Sequence, residues 1–193
     1  MKDITENEMN FILTILKNPE QELNSRNISK IIDMTPMGSL KIAKRLEKQG
    51  IISSKLIGRA IIYKLNLDKD YVKQYIKFLL QREAEYSSAY TKRWIAELKK
   101  IKKAEIIVLF GSVLKKSDEA KDIDILIVVE KGDLNNAEKE IEEINLLNKK
   151  KIHPIFQTKE DLKRNIKFLD KVILSSIKGI IILGEENFIE AIR

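Results

Sequence analysis

The sequence predicts an α+β protein in three successive parts: a helical N-terminal module closed by a β-hairpin, a long helical connector, and a small mixed sheet with flanking helices. Three observations carry this prediction. Apolar residues recur at helical spacing up to Gly50 and again between Val72 and Ile101. Two apolar runs, Ile106–Phe110 and residues 125–129, read as buried strands. Charge is also unevenly divided. Residues 1–68 hold 11 Lys/Arg against 8 Asp/Glu, residues 69–104 hold 10 against 4, and residues 105–193 hold 15 against 17, within an overall +7. A basic front and a slightly acidic back predict modules with different partners, divided at 68/69 and 104/105.

Several classes of function are excluded at once. The 193 residues include no Cys, which removes a disulfide framework, a thiolate zinc site and a thiol nucleophile. The single histidine, His153, rules out a multi-histidine metal centre. The longest apolar runs are five residues, against the ~20 that a membrane-spanning helix requires. The polar opening, residues 1–10, lacks the apolar stretch of a signal peptide. The expectation is a cytoplasmic protein with no membrane partner.

Thr5 is placed to cap a helix carrying Met9, Ile12, Leu13, Ile15 and Leu16, which stops at Asn18-Pro19. A second helix follows Asn24-Ser25, with Ile28, Ile31, Ile32 and Met34 as its expected buried side. Thr35-Pro36 has the form of an N-cap with proline at the first helical position. The third helix then runs to Gly50 with Leu40, Ala43 and Leu46 inward. Its expected outer face offers Ser39, Lys41, Lys44, Arg45 and Lys48. Residues 51–56 and 60–65 read as strands turning at Ile57-Gly58-Arg59.

Three helices and a hairpin, in the run TPMGSLKIAKRLEKQGIISSKLIGRAIIYKLN (35–66), resemble the winged helix-turn-helix regulators common in archaea and bacteria. The resemblance covers about a third of the chain. It implies double-stranded DNA as partner, with the third helix in the major groove and Arg59 at the wing tip approaching the minor groove or a phosphate.

No Gly or Pro occurs between Arg59 and Phe110, and Val72, Ile76, Leu79, Tyr86, Tyr90, Trp94, Leu98 and Ile101 recur at three- and four-residue steps. One long helix or two abutting ones are expected; a single helix over 69–102 would span ~50 Å. In winged-helix regulators such a helix often pairs two subunits, so the expected assembly is a homodimer. Tyr75, Tyr86, Tyr90 and Trp94 offer the alternative of a stacking platform for bases.

The chemistry is concentrated after Glu105. The strand Ile106–Phe110 ends in Gly111-Ser112, and Asp122-Ile-Asp124 opens a second apolar strand. Alternation along a strand puts Asp122 and Asp124 on one face, where two carboxylates repel each other and resist desolvation. A divalent cation resolves that conflict, and Mg2+ commonly takes one or two carboxylates plus substrate phosphates. Gly111 lets the backbone approach a phosphate, and Ser112 adds a hydroxyl donor or a helix cap.

The whole run LFGSVLKKSDEAKDIDILIVV (109–129) resembles the minimal nucleotidyltransferases of the DNA polymerase beta superfamily. The resemblance implies a nucleoside triphosphate held by Gly111 and Ser112 and Mg2+ (or Mn2+) bound by Asp122 and Asp124. It also implies transfer of a nucleoside monophosphate to a protein or nucleic acid. Family members usually carry a third carboxylate on a later strand. Here that strand, residues 151–158, has no acid; His153 stands near the place, as a base, a hydrogen-bonding group or a structural histidine beside the cleft, and Pro154 predicts an edge or irregular strand. A helix over 134–149 precedes it. Helical spacing over 159–178, begun by Glu160 and Asp161 as dipole partners, a strand at Ile180–Leu183 and a helix over 185–193 complete the module.

Three functions therefore fit the sequence. The first is a DNA-binding protein with a Mg2+-dependent nucleotidyltransferase-like domain. The second is a transcriptional regulator whose back domain only senses a nucleotide, favoured by the missing carboxylate. The third, implied by the nucleotidyltransferase family, is an antitoxin-like partner of a separate toxin.

Overall fold

The computed structural model describes residues 4–193, and the chain divides into two compact units between Leu79 and Leu80. Residues 1–3 of the expected N-terminal module lie outside the described residues. The expected connector is shared between the units, 69–79 with the first and 80–104 with the second.

The first unit contains α1 (Glu6–Lys17), α2 (Ser25–Ile31), α3 (Pro36–Lys48), the strands β1 (Ile52–Ile57) and β2 (Ala60–Leu65), and the opening turns of α4 (Asp70–Glu85). Local chemistry sets each boundary. The Thr5 hydroxyl accepts from the Glu8 amide while the Glu8 carboxylate accepts from the Thr5 amide, a reciprocal capping box. Asn24 and Thr35 accept from the amides of Asn27 and Gly38, and Pro36 opens α3. Gly50, at φ +70°, turns the chain out of α3, and its carbonyl accepts from the Asn66 amide group at 2.8 Å. The hairpin pairs antiparallel from Ile52–Leu65 to Ile57–Ala60. Phe11, Ile12, Leu16, Ile28, Leu46, Val72, Ile76 and Leu79 are fully buried in this unit.

Three expectations are corrected here. Ser39 is not on the outer face of α3; it is completely buried. The inward stripe is Ser39, Ile42, Ala43 and Leu46, at steps of three, one and three, and the helical phase of Ile42 and Ala43 carries Ser39 inward despite its hydroxyl. Its Oγ has no hydrogen-bond partner. A buried hydroxyl left unpaired costs on the order of 1 kcal/mol or more, so Ser39→Ala is expected to leave the fold intact and raise stability by about 1 kcal/mol in denaturant unfolding. Ile31, at the last turn of α2, is half exposed rather than buried. Val72 and Leu79 are buried within the chain, so neither is a contact available to a second subunit.

The long connector is not one helix. It breaks at Tyr86–Ser88 into α4 and α5 (Ala89–Leu98). Ser87 donates to the Ala84 carbonyl and Ser88 accepts from the Thr91 amide, so two serines supply backbone partners that end one helix and start the next. Trp94 is fully buried against the sheet of the second unit, which removes it as a base-stacking platform.

The second unit continues with β3 (Ile106–Phe110), the short helix α6 (Val113–Lys116), β4 (Ile123–Val128), α7 (Leu134–Leu147), β5 (Ile152–Gln157), α8 (Lys159–Lys167), α9 (Lys171–Ser176), β6 (Ile180–Leu183) and α10 (Glu185–Ile192). The sheet order is β5-β4-β3-β6, with β4 and β5 parallel and the other pairs antiparallel. Pro154 lies on an edge strand, where its missing N–H breaks no central ladder. Odd-numbered residues of β3 and β4 pack with Trp94, Leu98, Ala137, Ile141 and Ile144 from α5 and α7. Helices α8, α9 and α10 pack on the strands from the second unit's C-terminal part. The expected helix over 159–178 is interrupted: Leu169 takes φ +59°, and Asp170 accepts from the amides of Val172 and Ile173 to start α9.

Candidate functional site

The site is assembled by strand register. Phe110 at the end of β3 pairs with Asp124 at the start of β4, and Asp124 pairs in turn with His153 on β5. Paired residues project to the same face, so Asp122, Asp124 and His153 converge at one end of the sheet. One ligand atom from each lies within 4.8 Å of the others. His153 Nδ1 stands 3.4 Å from the Asp122 carboxylate, and the His153 side chain is 60% exposed, so the cluster opens to solvent.

The carboxylates are held in tension. Burial, then the charge of Asp122, raises the Asp124 carboxyl above its usual range, and His153 opposes that rise. Gly111 follows directly in β3's path at φ +82°, and a Cβ there would run into the Asp124 carboxylate. The positive φ itself favours glycine, and any side chain there would also push the Asp124 carboxylate from its place, beside the approach to phosphate expected from the sequence. Ser112 stands at the start of α6 but caps nothing, which leaves its hydroxyl unused by the helix. Lys115 and Lys116 are exposed in the following turn.

One residue of the site was missed by sequence reasoning. The Lys150 ammonium donates to the carbonyls of Asp118 and Ala120 and lies 5.3 Å from the Tyr90 ring centroid. It ties the loop that delivers Asp122 to the strand that delivers His153. Nothing in the local pattern marks it out among three consecutive lysines. Glu160 and Asp161 sit in the first turn of α8 as expected, where Thr158 hydrogen-bonds Asp161 and holds its carboxyl below the usual range.

In the first unit, Lys41, Lys44, Arg45 and Lys48 are exposed along α3, and Arg59 is exposed at the hairpin turn. Arg45 is already engaged, since its guanidinium pairs with the buried Glu8 carboxylate of α1.

The donor set suits a divalent cation: two carboxylates, one raised by burial and by its neighbour, with an imidazole completing the cluster. Residues 92–178, a little under half of the chain, match the family model described as polymerase beta, nucleotidyltransferase. The matched stretch includes the Gly111-Ser112 turn and all three members of the cluster. It supports a nucleotidyltransferase-like domain in the second unit and does not reach the first. No curated protein and no solved structure matches the chain. Among the described residues, no helix is long and apolar enough to cross a membrane.

Proposed function

We propose that this chain is a DNA-binding protein whose second unit transfers a nucleoside monophosphate from a nucleoside triphosphate to a protein or nucleic-acid acceptor. The observation that carries the reading is the convergence of Asp122, Asp124 and His153 beside the Gly111-Ser112 turn. Asp122 and Asp124 would hold the cation, and Gly111 and Ser112 would meet the triphosphate through backbone and hydroxyl. When bound, the cation would neutralise the triphosphate and the charge that builds on the leaving group. The oxygen of an acceptor hydroxyl forms a bond to the α-phosphorus as its proton passes to solvent, the bond from the α-phosphorus to the oxygen shared with the β-phosphorus breaks, and pyrophosphate leaves with that electron pair.

The exposed lysines of α3 support duplex DNA as partner for the first unit, and its order of three helices and a hairpin, which resembles that of a winged helix, supports the same reading. A homodimer remains part of the proposal, resting on Tyr86, which is 65% exposed, now that Val72 and Leu79 are internal. A toxin partner rests on the family likeness alone. The second reading, a nucleotide sensor, is favoured by a specific observation: among the described residues, the third member of the cluster is an imidazole rather than a carboxylate.

Incubation with each of four nucleoside triphosphates labelled at the α-phosphate, with Mg2+ or Mn2+, tests these readings. Labelled acceptor that disappears in Asp122→Asn/Asp124→Asn is the expected result. Nucleotide binding without label in any acceptor favours the sensor, and neither binding nor label overturns both.

A further inference from the structure

We infer that His153 is a direct metal ligand, and that Asp122, Asp124 and His153 form a mixed oxygen–nitrogen site that prefers a divalent transition ion to Mg2+. This rests on the proposed metal-binding role of the second unit.

The backbone already presents the imidazole. Parallel pairing sets His153 beside Asp124, and Pro154 fixes the strand immediately after it. The ligand atoms spread no wider than 4.8 Å, close to the ~4 Å between ligands on opposite sides of one ion bound at ~2.1 Å. Among the described residues the His153 ring faces the Asp122 carboxylate at 3.4 Å and acts on the charge of Asp124, and it is 60% open to solvent. Two carboxylates and a neutral imidazole carry two negative charges, matching one divalent ion. Chemistry then decides which ion. Mg2+ is a hard cation that takes oxygen ligands and gains little from imidazole, whereas ions toward zinc in the first transition row bind imidazole readily. A third carboxylate would have favoured Mg2+; a histidine in its place turns the preference.

The rival account is that the ring, protonated, acts as a built-in counter-ion in place of a metal. The chain's single histidine makes the distinction measurable, because nitrogen-labelled histidine yields the NMR signals of one imidazole only. In the full-length protein, Zn2+ alone is expected to move one ring nitrogen to a metal-bound position, while Mg2+ alone at the same concentration leaves both in place. The Zn2+ preference over Mg2+, from competitive binding, is expected to fall about tenfold or more in His153→Ala and to turn toward Mg2+ in His153→Asp. The exposed ring makes both variants compatible with folding, which the unchanged far-ultraviolet spectrum would verify.

A Zn2+ shift that survives in Asp122→Asn/Asp124→Asn would mean zinc held by an exposed imidazole alone, and would overturn the site. Thermal stabilisation by Zn2+ and Mg2+ with an unmoved imidazole would overturn the inference but leave the aspartates as metal ligands. No response to any ion, with or without ATP, would overturn the metal-binding reading as well.

Discussion

Asp122→Asn combined with Asp124→Asn is expected to abolish the rise in melting temperature that a divalent ion and a nucleoside triphosphate produce in the wild type. A ligand that binds only the folded state, at a hundred times its dissociation constant, stabilises by about 2.7 kcal/mol, which is roughly 5–10 °C for a chain of this size. The double variant should lose that increment because it removes the two groups proposed to hold the ion. Without ligand, the same change should act in the opposite direction. The Asp124 carboxyl is raised in the folded protein, first by burial and then by the Asp122 charge. The folded state therefore binds this proton more tightly than the unfolded chain does. Asp124's contribution to stability is complete at acid pH and is lost as pH rises through its raised titration. Metal-free Asp124→Asn should lack that pH-dependent loss, so the wild type and the variant diverge as pH rises toward neutrality. Denaturant unfolding across that range, with and without ion, reads both effects. A wild type indifferent to ion and nucleotide would remove the proposed site.

Replacing Lys41, Lys44 and Lys48 with alanine is expected to weaken binding to duplex DNA uniformly across sequences. It should also flatten the salt dependence by roughly three units of slope, about one for each phosphate no longer neutralised. All three ammonium groups are exposed on α3, so the fold should survive the change. Arg45 is left out for a structural reason. Its guanidinium pairs with Glu8, whose carboxylate is buried and also closes the capping box of α1. Arg45→Ala would strand a buried charge and lower stability, confusing the reading of DNA affinity. Arg59→Ala should give a smaller loss of the same kind as the lysines. Fluorescence anisotropy at several salt concentrations measures both magnitude and slope, and an unchanged slope in the triple variant would remove α3 from the DNA reading.

Features carried by short-range chemistry were legible from residue order. Thr5, Asn24 and Thr35-Pro36 start their helices where expected because a cap needs only a side-chain oxygen and an amide two or three positions on. The spacing of Asp122 and Asp124 places both on one strand face by alternation alone. Periodicity identified the strands Ile106–Phe110 and Ile180–Leu183, whose bounds agree with the structure. It failed where polar residues served the interior or where local hydrogen bonds cut a helix. Ser39 reads as a surface residue until the phase of Ile42 and Ala43 turns it inward, and Ser87-Ser88 end a helix that no Gly or Pro interrupts.

The candidate site divides along the same line. The sequence by itself determined the Gly111-Ser112 turn, the aspartate pair and the absence of an acid between residues 151 and 158, because each is a matter of composition and spacing. Only the tertiary structure decided that His153 stands opposite Asp124, that Lys150 ties down the loop before Asp122, and that Gly111 makes room for the Asp124 carboxylate. These depend on strand register and on positions from about 13 to about 30 residues apart, where a slip of one residue would turn His153 to the other face of the sheet. Register is set by the burial of Ile123, Ile125 and Ile127 against α5 and α7, an energy spread over the whole core and written in no single motif.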